Sequence, residues 1–179
     1  MKIRTYCIRG LAGGPPFYFS RGMDTLARKL TAVGATCTVH NQGSFFRPYG
    51  EVSTIFVDAL HAARSGASLI LIGHSMGADA ALKVAVKLHD MGVKVPLVTC
   101  FDPTSFRLAL GPPAVPANVA RAICFYQKVD PIGRGRLRPG PGFAGQLVQE
   151  RHDQAHVTID DDPALHARVL AEVSRLTDH

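Results

Sequence analysis

The chain has 179 residues, of which 46% are hydrophobic and 19% charged. These values fit one globular domain, spanning 1–179, with a substantial core, and they exclude an extended disordered chain. The formal net charge is +6, and part of this excess lies in a loop where Arg134, Arg136 and Arg138 alternate with glycine and proline. Neither interleaved aromatic residues nor a known binding motif in this loop supports nucleic-acid binding. No segment approaches the length of a membrane span, and the first six residues lack the apolar stretch of a secretory signal. We therefore expect a cytoplasmic protein.

Strand-like and helix-like segments alternate along most of the chain. Apolar runs of strand length are followed by segments whose apolar residues recur every three or four positions, as on a helix with one buried face. This alternation predicts an α/β three-layer sandwich, with a doubly wound, mostly parallel sheet of about six strands and helices on both faces. We expect Ser20 to cap the first helix. Strands are predicted at 3–8, 35–40, 68–72, 95–101, 120–127 and 145–150, and helices at 21–33, 51–64, 78–91 and 164–176.

The most specific motif is Gly73-His74-Ser75-Met76-Gly77, which joins the apolar run 68–72 to an alanine-rich helix. This is the G-x-S-x-G nucleophile elbow, with the strand before it and the helix after it that it requires. The turn has no room for larger side chains at its two glycines, and it forces Ser75 into a strained backbone with an exposed hydroxyl. The helix N-terminus points to the same place, where negative charge develops in acyl transfer. The alternative is a tight turn whose serine only caps the helix.

The elbow, an early glycine-rich turn at 10–14 and a late histidine occur in this order, and on these features the sequence resembles the α/β-hydrolases. The resemblance spans most of the chain, although only the elbow is specific. It implies a Ser-His-acid triad on a mostly parallel sheet, with no metal or organic cofactor. At this length the chain would be a minimal version of the fold, without a large lid.

The resemblance also implies an oxyanion hole built from two loops. One donor is the backbone N–H of Met76, directly after the nucleophile. The other is expected in the glycine-rich turn, where the backbone can approach a substrate closely, and our candidates are the N–H groups of Leu11 and Ala12. A plain Gly-Pro turn is the alternative for this segment.

The catalytic base must be a histidine on a loop at the carboxyl edge of the sheet, because a serine hydroxyl is a poor nucleophile until an imidazole takes its proton. Among eight histidines, His152 and His156 lie between the last strand and the last helix, where the family keeps its base. We favour His156, which is farther out on the loop, and keep His152 as the alternative base. His40, at another strand end, is a third choice, and His74 is expected to serve packing.

Two aspartates compete for the role of the triad acid. In most family members the acid follows the second strand after the elbow, which points to Asp130; in a minority it follows the first, which points to Asp102. Asp102 directly ends an apolar strand and is stiffened by Pro103, whereas Asp130 is flanked by Lys128 and an arginine-rich loop that would solvate and pair it. We favour Asp102 and keep Asp130 as the alternative acid.

Together these features predict a serine hydrolase that cleaves a small-molecule acyl ester or thioester through an acyl-enzyme on Ser75. Two alternatives stay open: an acyltransferase that uses the same triad, and a binding or scaffold protein that keeps the elbow for its structure. The natural substrate and the oligomeric state do not follow from the sequence. An aromatic loop is expected to line the acyl-binding surface, with packing against the core as an equally open alternative; its residues are Phe45, Phe46 and Tyr49.

Overall fold

The computed structural model describes residues 2–14, 16–43, 47–105, 111–129, 131–133 and 135–177. The strands in this part of the chain are β1 (Ile3–Arg9), β2 (Thr36–Asn41), β3 (Ser68–His74), β4 (Val95–Phe101), β5 (Val119–Gln127) and β6 (Gln146–His152). The helices are α1 (Arg21–Ala32), α2 (Val52–Arg64), α3 (Met76–Asp90) and α4 (Pro163–Thr177), and a 3₁₀ turn spans Ile159–Asp161.

The six strands form one sheet in the order β2-β1-β3-β4-β5-β6, and every neighbouring pair is parallel. All predicted strands and helices are present. The N-terminus of α3 moves to Met76, directly after Ser75, because the elbow turn is completed within a single residue. Among the described residues, no helix combines the length and apolarity needed to cross a bilayer.

Helices cover both faces of the sheet, as predicted. Side chains alternate along β3, so that Leu69 and Leu71 pack with α2 and α3, while Ile70 and Ile72 pack with α1 and α4. Both faces of β3 are buried, which explains why its sequence is an unbroken apolar run. The three-layer α/β prediction is therefore confirmed.

The connection from β5 to β6 is an extended glycine- and proline-rich segment in its described parts. It runs back over the α2–α3 face: Val115 pairs with Pro139, and Leu137 is buried in the core on this side. The Leu137 N–H donates to Gln149 Oε1 at 3.0 Å, which ties the segment to β6. The segment therefore covers this face of the sheet in place of a crossover helix. Its first residues lie at the carboxyl edge of the sheet.

Candidate active site

The loops at the carboxyl edge of the sheet meet because β1, β3, β4, β5 and β6 are consecutive in the sheet and all point the same way. After β1 the chain adds β2 on one side and then β3 on the other, so the strand order reverses between β1 and β3. The crevice at such a switch point is where α/β sheets commonly bind ligands. Gly10 follows β1 and Ser75 follows β3, so these two residues flank that crevice.

Ser75 occupies the sharp turn between β3 and α3. Its φ of 56° and ψ of −126° lie in a region that residues other than glycine rarely adopt. A Cβ on Gly73 would overlap the carbonyl of Gly77, and one on Gly77 would overlap the carbonyl of Ile8, so both positions require glycine. The Ser75 N–H donates to the Phe101 carbonyl at 2.9 Å. Neighbouring backbone therefore holds the strained turn in place.

The structure brings Ser75, His156 and Asp102 together in one buried line. His156 Nε2 lies 2.9 Å from Ser75 Oγ, and His156 Nδ1 lies 2.7 Å from Asp102 Oδ2. A carboxylate only accepts, so we assign the proton to Nδ1, which leaves Nε2 free to accept the Ser75 hydroxyl proton. The Ser75 side chain makes no capping bond to α3, so the turn differs from the capping alternative considered for this serine. Chemically, this arrangement can activate a hydroxyl nucleophile.

Asp102 is fixed mainly by hydrogen bonds to the end of β5. Its N–H donates to the Phe125 carbonyl at 2.7 Å, and its Oδ2 accepts from Gln127 Nε2 at 2.9 Å. The Gln127 N–H lies 3.4 Å from Asp102 Oδ1, and Gln127 Nε2 also donates to the Ile132 carbonyl at 2.6 Å. The buried Gln127 thus orients the carboxylate, a role that we did not predict. In the sequence Gln127 only ends an apolar strand, and nothing there links it to Asp102, because the pairing of β4 with β5 is not encoded locally.

Gly133 covers the hydrogen bond between Asp102 and His156 with its backbone. A Cβ at this position would overlap Asp102 Oδ2 and would lie 2.5 Å from His156 Nδ1. The residue also has a φ of +82°. Any side chain here would have to push apart the two groups that hold the imidazole.

Replacing Gly133 with alanine should therefore lower kcat/KM by about 100-fold or more, because displacements of about 1 Å in an active site have effects of this size. Gly66→Ala is the matched control, since Gly66 has a φ of +81° and a Cβ added there would meet open space, with no contact within 4 Å. The Gly66→Ala variant should share the backbone strain of an alanine at positive φ, about 1–2 kcal/mol, and keep full activity. Steady-state kinetics and thermal unfolding of both variants separate the two effects. Equal kinetic losses would contradict the contact-based explanation.

The other two histidines considered as bases have different surroundings. The His152 ring packs edge-on against Phe125, with 5.6 Å between centroids, and its Nε2 lies 3.8 Å from Glu150. His40 is part of the edge strand β2, and its Nδ1 lies 3.5 Å from Glu51. Among the described residues, only His156 is placed against the Ser75 hydroxyl.

Tyr49 packs against the core, and its hydroxyl donates to the buried Asp79 of α3. These contacts correspond to the packing alternative raised for the aromatic loop. The other two residues of the expected acyl-binding surface, Phe45 and Phe46, lie outside the described residues, as does the alternative acid Asp130.

The glycine-rich turn after β1 comes into contact with the nucleophile. A Cβ on Gly10 would lie 2.8 Å from Ser75 Cβ, so the Gly10 backbone passes directly beside it. Leu11 and Ala12 follow in this turn, and Ala12 has a φ of 53°. Met76 opens α3 on the other side of Ser75. The candidate oxyanion donors therefore belong to segments that adjoin Ser75.

Loops around the site carry exposed apolar side chains, although most of the large apolar residues that the structure describes are buried. One loop follows the glycine-rich turn, where two phenylalanine rings stack with 5.9 Å between centroids. The others include the neighbours of Gly133 and of His156. We call these residues the apolar rim: Phe17, Tyr18, Phe19, Val129, Ile132 and Val157.

Two buried titratable groups lie behind the site. Burial and, secondarily, the charge of His156 lower the pKa of His74 to about 3, so His74 is neutral. Burial and, secondarily, Asp161 raise the pKa of Asp160 to about 7. Within the described ranges, no three His, Cys, Asp or Glu side chains come together as metal ligands would.

The fold is shared with several solved hydrolase structures. The esterase of Pyrobaculum calidifontis is 15% identical, with a TM-score of 0.66 over 98% of this chain and 77% of that one. The RedJ thioesterase from the prodiginine biosynthetic pathway in Streptomyces coelicolor is 18% identical, with a TM-score of 0.59 over 96% and 88%. An alpha-beta serine hydrolase homologue from Coxiella burnetii is 14% identical, with a TM-score of 0.62 over 96% and 85%. No protein-family model and no curated protein sequence matches the chain. The chain thus has the α/β-hydrolase fold.

Proposed function

We propose that this α/β-hydrolase-fold protein is a serine hydrolase that cleaves a carboxylic ester or thioester through an acyl-enzyme on Ser75. The observation that carries the proposal is the buried line of hydrogen bonds from Asp102 through His156 to Ser75, at 2.7 Å and 2.9 Å. An esterase and a thioesterase among the structural neighbours are consistent with it.

In the first half-reaction, Ser75 Oγ attacks the substrate carbonyl carbon while His156 Nε2 takes the hydroxyl proton. Asp102 stabilises the resulting imidazolium through its bond to Nδ1. The tetrahedral oxyanion accepts hydrogen bonds from the Met76 N–H and from an N–H of Leu11 or Ala12. When the intermediate collapses, the bond to the leaving oxygen or sulfur breaks, and His156 returns the proton to the leaving group.

In the second half-reaction, a water molecule takes the place of the leaving alcohol or thiol. His156 Nε2 accepts a proton from the water as its oxygen attacks the acyl carbon, and the same oxyanion donors act again. Collapse breaks the bond to Ser75 Oγ, which regains its proton from His156. The carboxylic acid product leaves, and the enzyme returns to its starting protonation state.

The apolar rim supports a substrate with an apolar acyl group. Exposed aromatic and aliphatic side chains lose contact with water when such a group lies against them, and about 25 cal/mol is gained for each Å² of apolar surface buried. The rim's phenylalanines follow the glycine-rich turn, so that an acyl group lying along them would adjoin the oxyanion donors.

Reaction of the protein with a fluorophosphonate probe tests the proposal. The intact mass should increase by a single adduct, and peptide mapping should place the adduct on Ser75, because only an activated serine reacts rapidly with such a probe. Hydrolysis of p-nitrophenyl esters and of an acyl thioester should occur in the same preparation.

A folded protein that is neither labelled nor active on these substrates would contradict the proposal and favour a binding or scaffold role. Turnover that yields mainly ester or amide product when an alcohol or amine is present would indicate an acyltransferase instead. Labelling at another serine would contradict the assignment of Ser75 as the nucleophile.

A further inference from the structure

Ser20 and His74 form a second buried line of hydrogen bonds behind the candidate active site. The Gly10 N–H lies 3.0 Å from Ser20 Oγ, Ser20 Oγ lies 2.7 Å from His74 Nδ1, and His74 Nε2 lies 2.8 Å from the His156 carbonyl oxygen. Ser20 and His74 are each 1% exposed. The sequence suggested other roles for both residues. Ser20 occupies the N-cap position of α1, as predicted, but its hydroxyl makes no capping bond to the helix, and His74 does more than pack.

The direction of each hydrogen bond follows from its partners. The His156 carbonyl can only accept, so His74 Nε2 carries a proton. His74 is neutral because its pKa is lowered to about 3, and its Nδ1 is therefore an acceptor that receives the Ser20 hydroxyl proton. The Ser20 oxygen keeps lone pairs to accept from the Gly10 N–H. Every donor in the line thus has an acceptor, and the protons have one possible arrangement.

Other groups that face His74 do not replace Ser20 as its partner. Asp160 Oδ1 lies 3.8 Å from His74 Nδ1, which is beyond hydrogen-bond distance. The ring of His156 is tilted against the His74 ring, with 4.9 Å between centroids. Ser20 is therefore the hydrogen-bond partner of Nδ1, while Asp160 and the His156 ring close the space around the imidazole.

The line connects the three segments that the proposed reaction must hold in register. Gly10 opens the turn that carries the candidate oxyanion donors, His74 immediately precedes Ser75 in the elbow, and His156 is the proposed base. The hydrogen bond from His74 reaches the backbone carbonyl of His156, so it can fix the position of the proposed base without occupying either nitrogen of the His156 ring.

We propose that Ser20 and His74 are positioning residues that fix the glycine-rich turn and the His156 loop to the elbow. This inference rests on the proposed serine hydrolase function. Neither side chain touches the reacting atoms. Each holds a backbone group, and through it the oxyanion donors at one end and the base at the other.

Ser20→Ala removes the hydroxyl that joins Gly10 to His74, and we expect kcat to fall about 10- to 100-fold with less than about a threefold change in KM. Affinity for a boronic acid that forms a tetrahedral adduct should fall in parallel with kcat, because the donors are needed most in that state. Thr31→Ala is the matched control: it also removes a hydroxyl hydrogen bond linked to α1, here to the Ala27 carbonyl at 2.9 Å, away from the site.

Two further variants keep the test informative if Ser20→Ala does not fold. His74→Asn retains an acceptor near the Nδ1 position, and His74→Gln retains a donor near the Nε2 position, so each preserves one half of the line. Each should lower kcat, and the double variant Ser20→Ala/His74→Gln should be no worse than the more impaired single variant, because both break the same line. Folding is checked by thermal unfolding.

The outcomes separate this inference from the proposed function. An active wild type whose folded Ser20 and His74 variants keep wild-type kcat and boronic acid affinity would overturn the positioning role and leave the hydrolase proposal standing. A rise in KM with unchanged kcat, or a fall in kcat proportional to a loss of thermal stability, would also overturn it, because either result indicates a general structural role. A wild type that neither labels nor turns over would overturn both proposals.

Discussion

Replacing Ser75 with alanine should lower kcat for ester hydrolysis by about 10⁵-fold or more, since the loss of a serine nucleophile in a triad has effects of this size. The variant should also gain no mass with a fluorophosphonate. Without Oγ there is no atom to form the acyl-enzyme. His156 then has no hydroxyl proton to accept, so neither His156 nor Asp102 can accelerate this step. Any residual rate would come from oxyanion stabilisation of attack by water.

The fold should survive this substitution. Alanine leaves the strained φ of 56° unchanged and removes one hydrogen bond, between Ser75 Oγ and His156 Nε2. A net loss of about 1 kcal/mol corresponds to about 2–4 °C in Tm for a chain of this size. Ser53→Ala, at an exposed serine of α2, is the matched control and should be fully active. A Ser75→Ala variant within tenfold of wild type would show that another group is the nucleophile.

The elbow could be predicted from sequence because all its determinants are neighbours in the chain. The apolar run, Gly73 and Gly77 are enough to specify a buried strand, a tight turn and a helix, and each glycine is needed for a contact within five residues or with adjacent β1. The helix and strand patterns also depend only on residues that are close in sequence. The alternation of strands and helices, and from it the layered sheet, could therefore be predicted.

The position of His156 depends on contacts between segments distant in sequence. Ile159 is buried in the core with α1 and α4, and the Asp160 carbonyl lies against Gly22, where a Cβ would overlap it. These contacts fix the loop that carries His156. No local pattern near His156 encodes them. The family's placement of its base therefore led to His152 and His156 together, and only the position farther out on the loop favoured His156.

The acid was the hardest assignment because the two candidates differ mainly in their surroundings. Asp102 was favoured because it directly ends an apolar strand, and in the structure it contacts His156 Nδ1. Gln127 could not be linked to it without knowing that β4 and β5 are neighbours in the sheet. The role of Asp102 as the triad acid stays a prediction, which amide substitution can test.

Asp102→Asn should lower kcat by about 10⁴-fold. Asp102 Oδ2 accepts from both His156 Nδ1 and Gln127 Nε2, and its Oδ1 faces the Gln127 N–H at 3.4 Å. Whichever way an asparagine is turned, its NH₂ opposes a donor. If the NH₂ faces His156, the imidazole must take the tautomer with its proton on Nε2, which cannot accept the Ser75 proton.

Two further amide variants test this explanation. Asp153→Asn removes an exposed carboxylate near His156 that pairs with Arg151 at 3.4 Å, and it should change kcat by less than about twofold, because exposed pairs contribute little. Asp130→Asn should lower kcat far less than Asp102→Asn. A loss of about 10⁴-fold in Asp130→Asn with a nearly active Asp102→Asn would assign the acid to Asp130, and Asp102 would then serve to orient the imidazole without being needed for its charge.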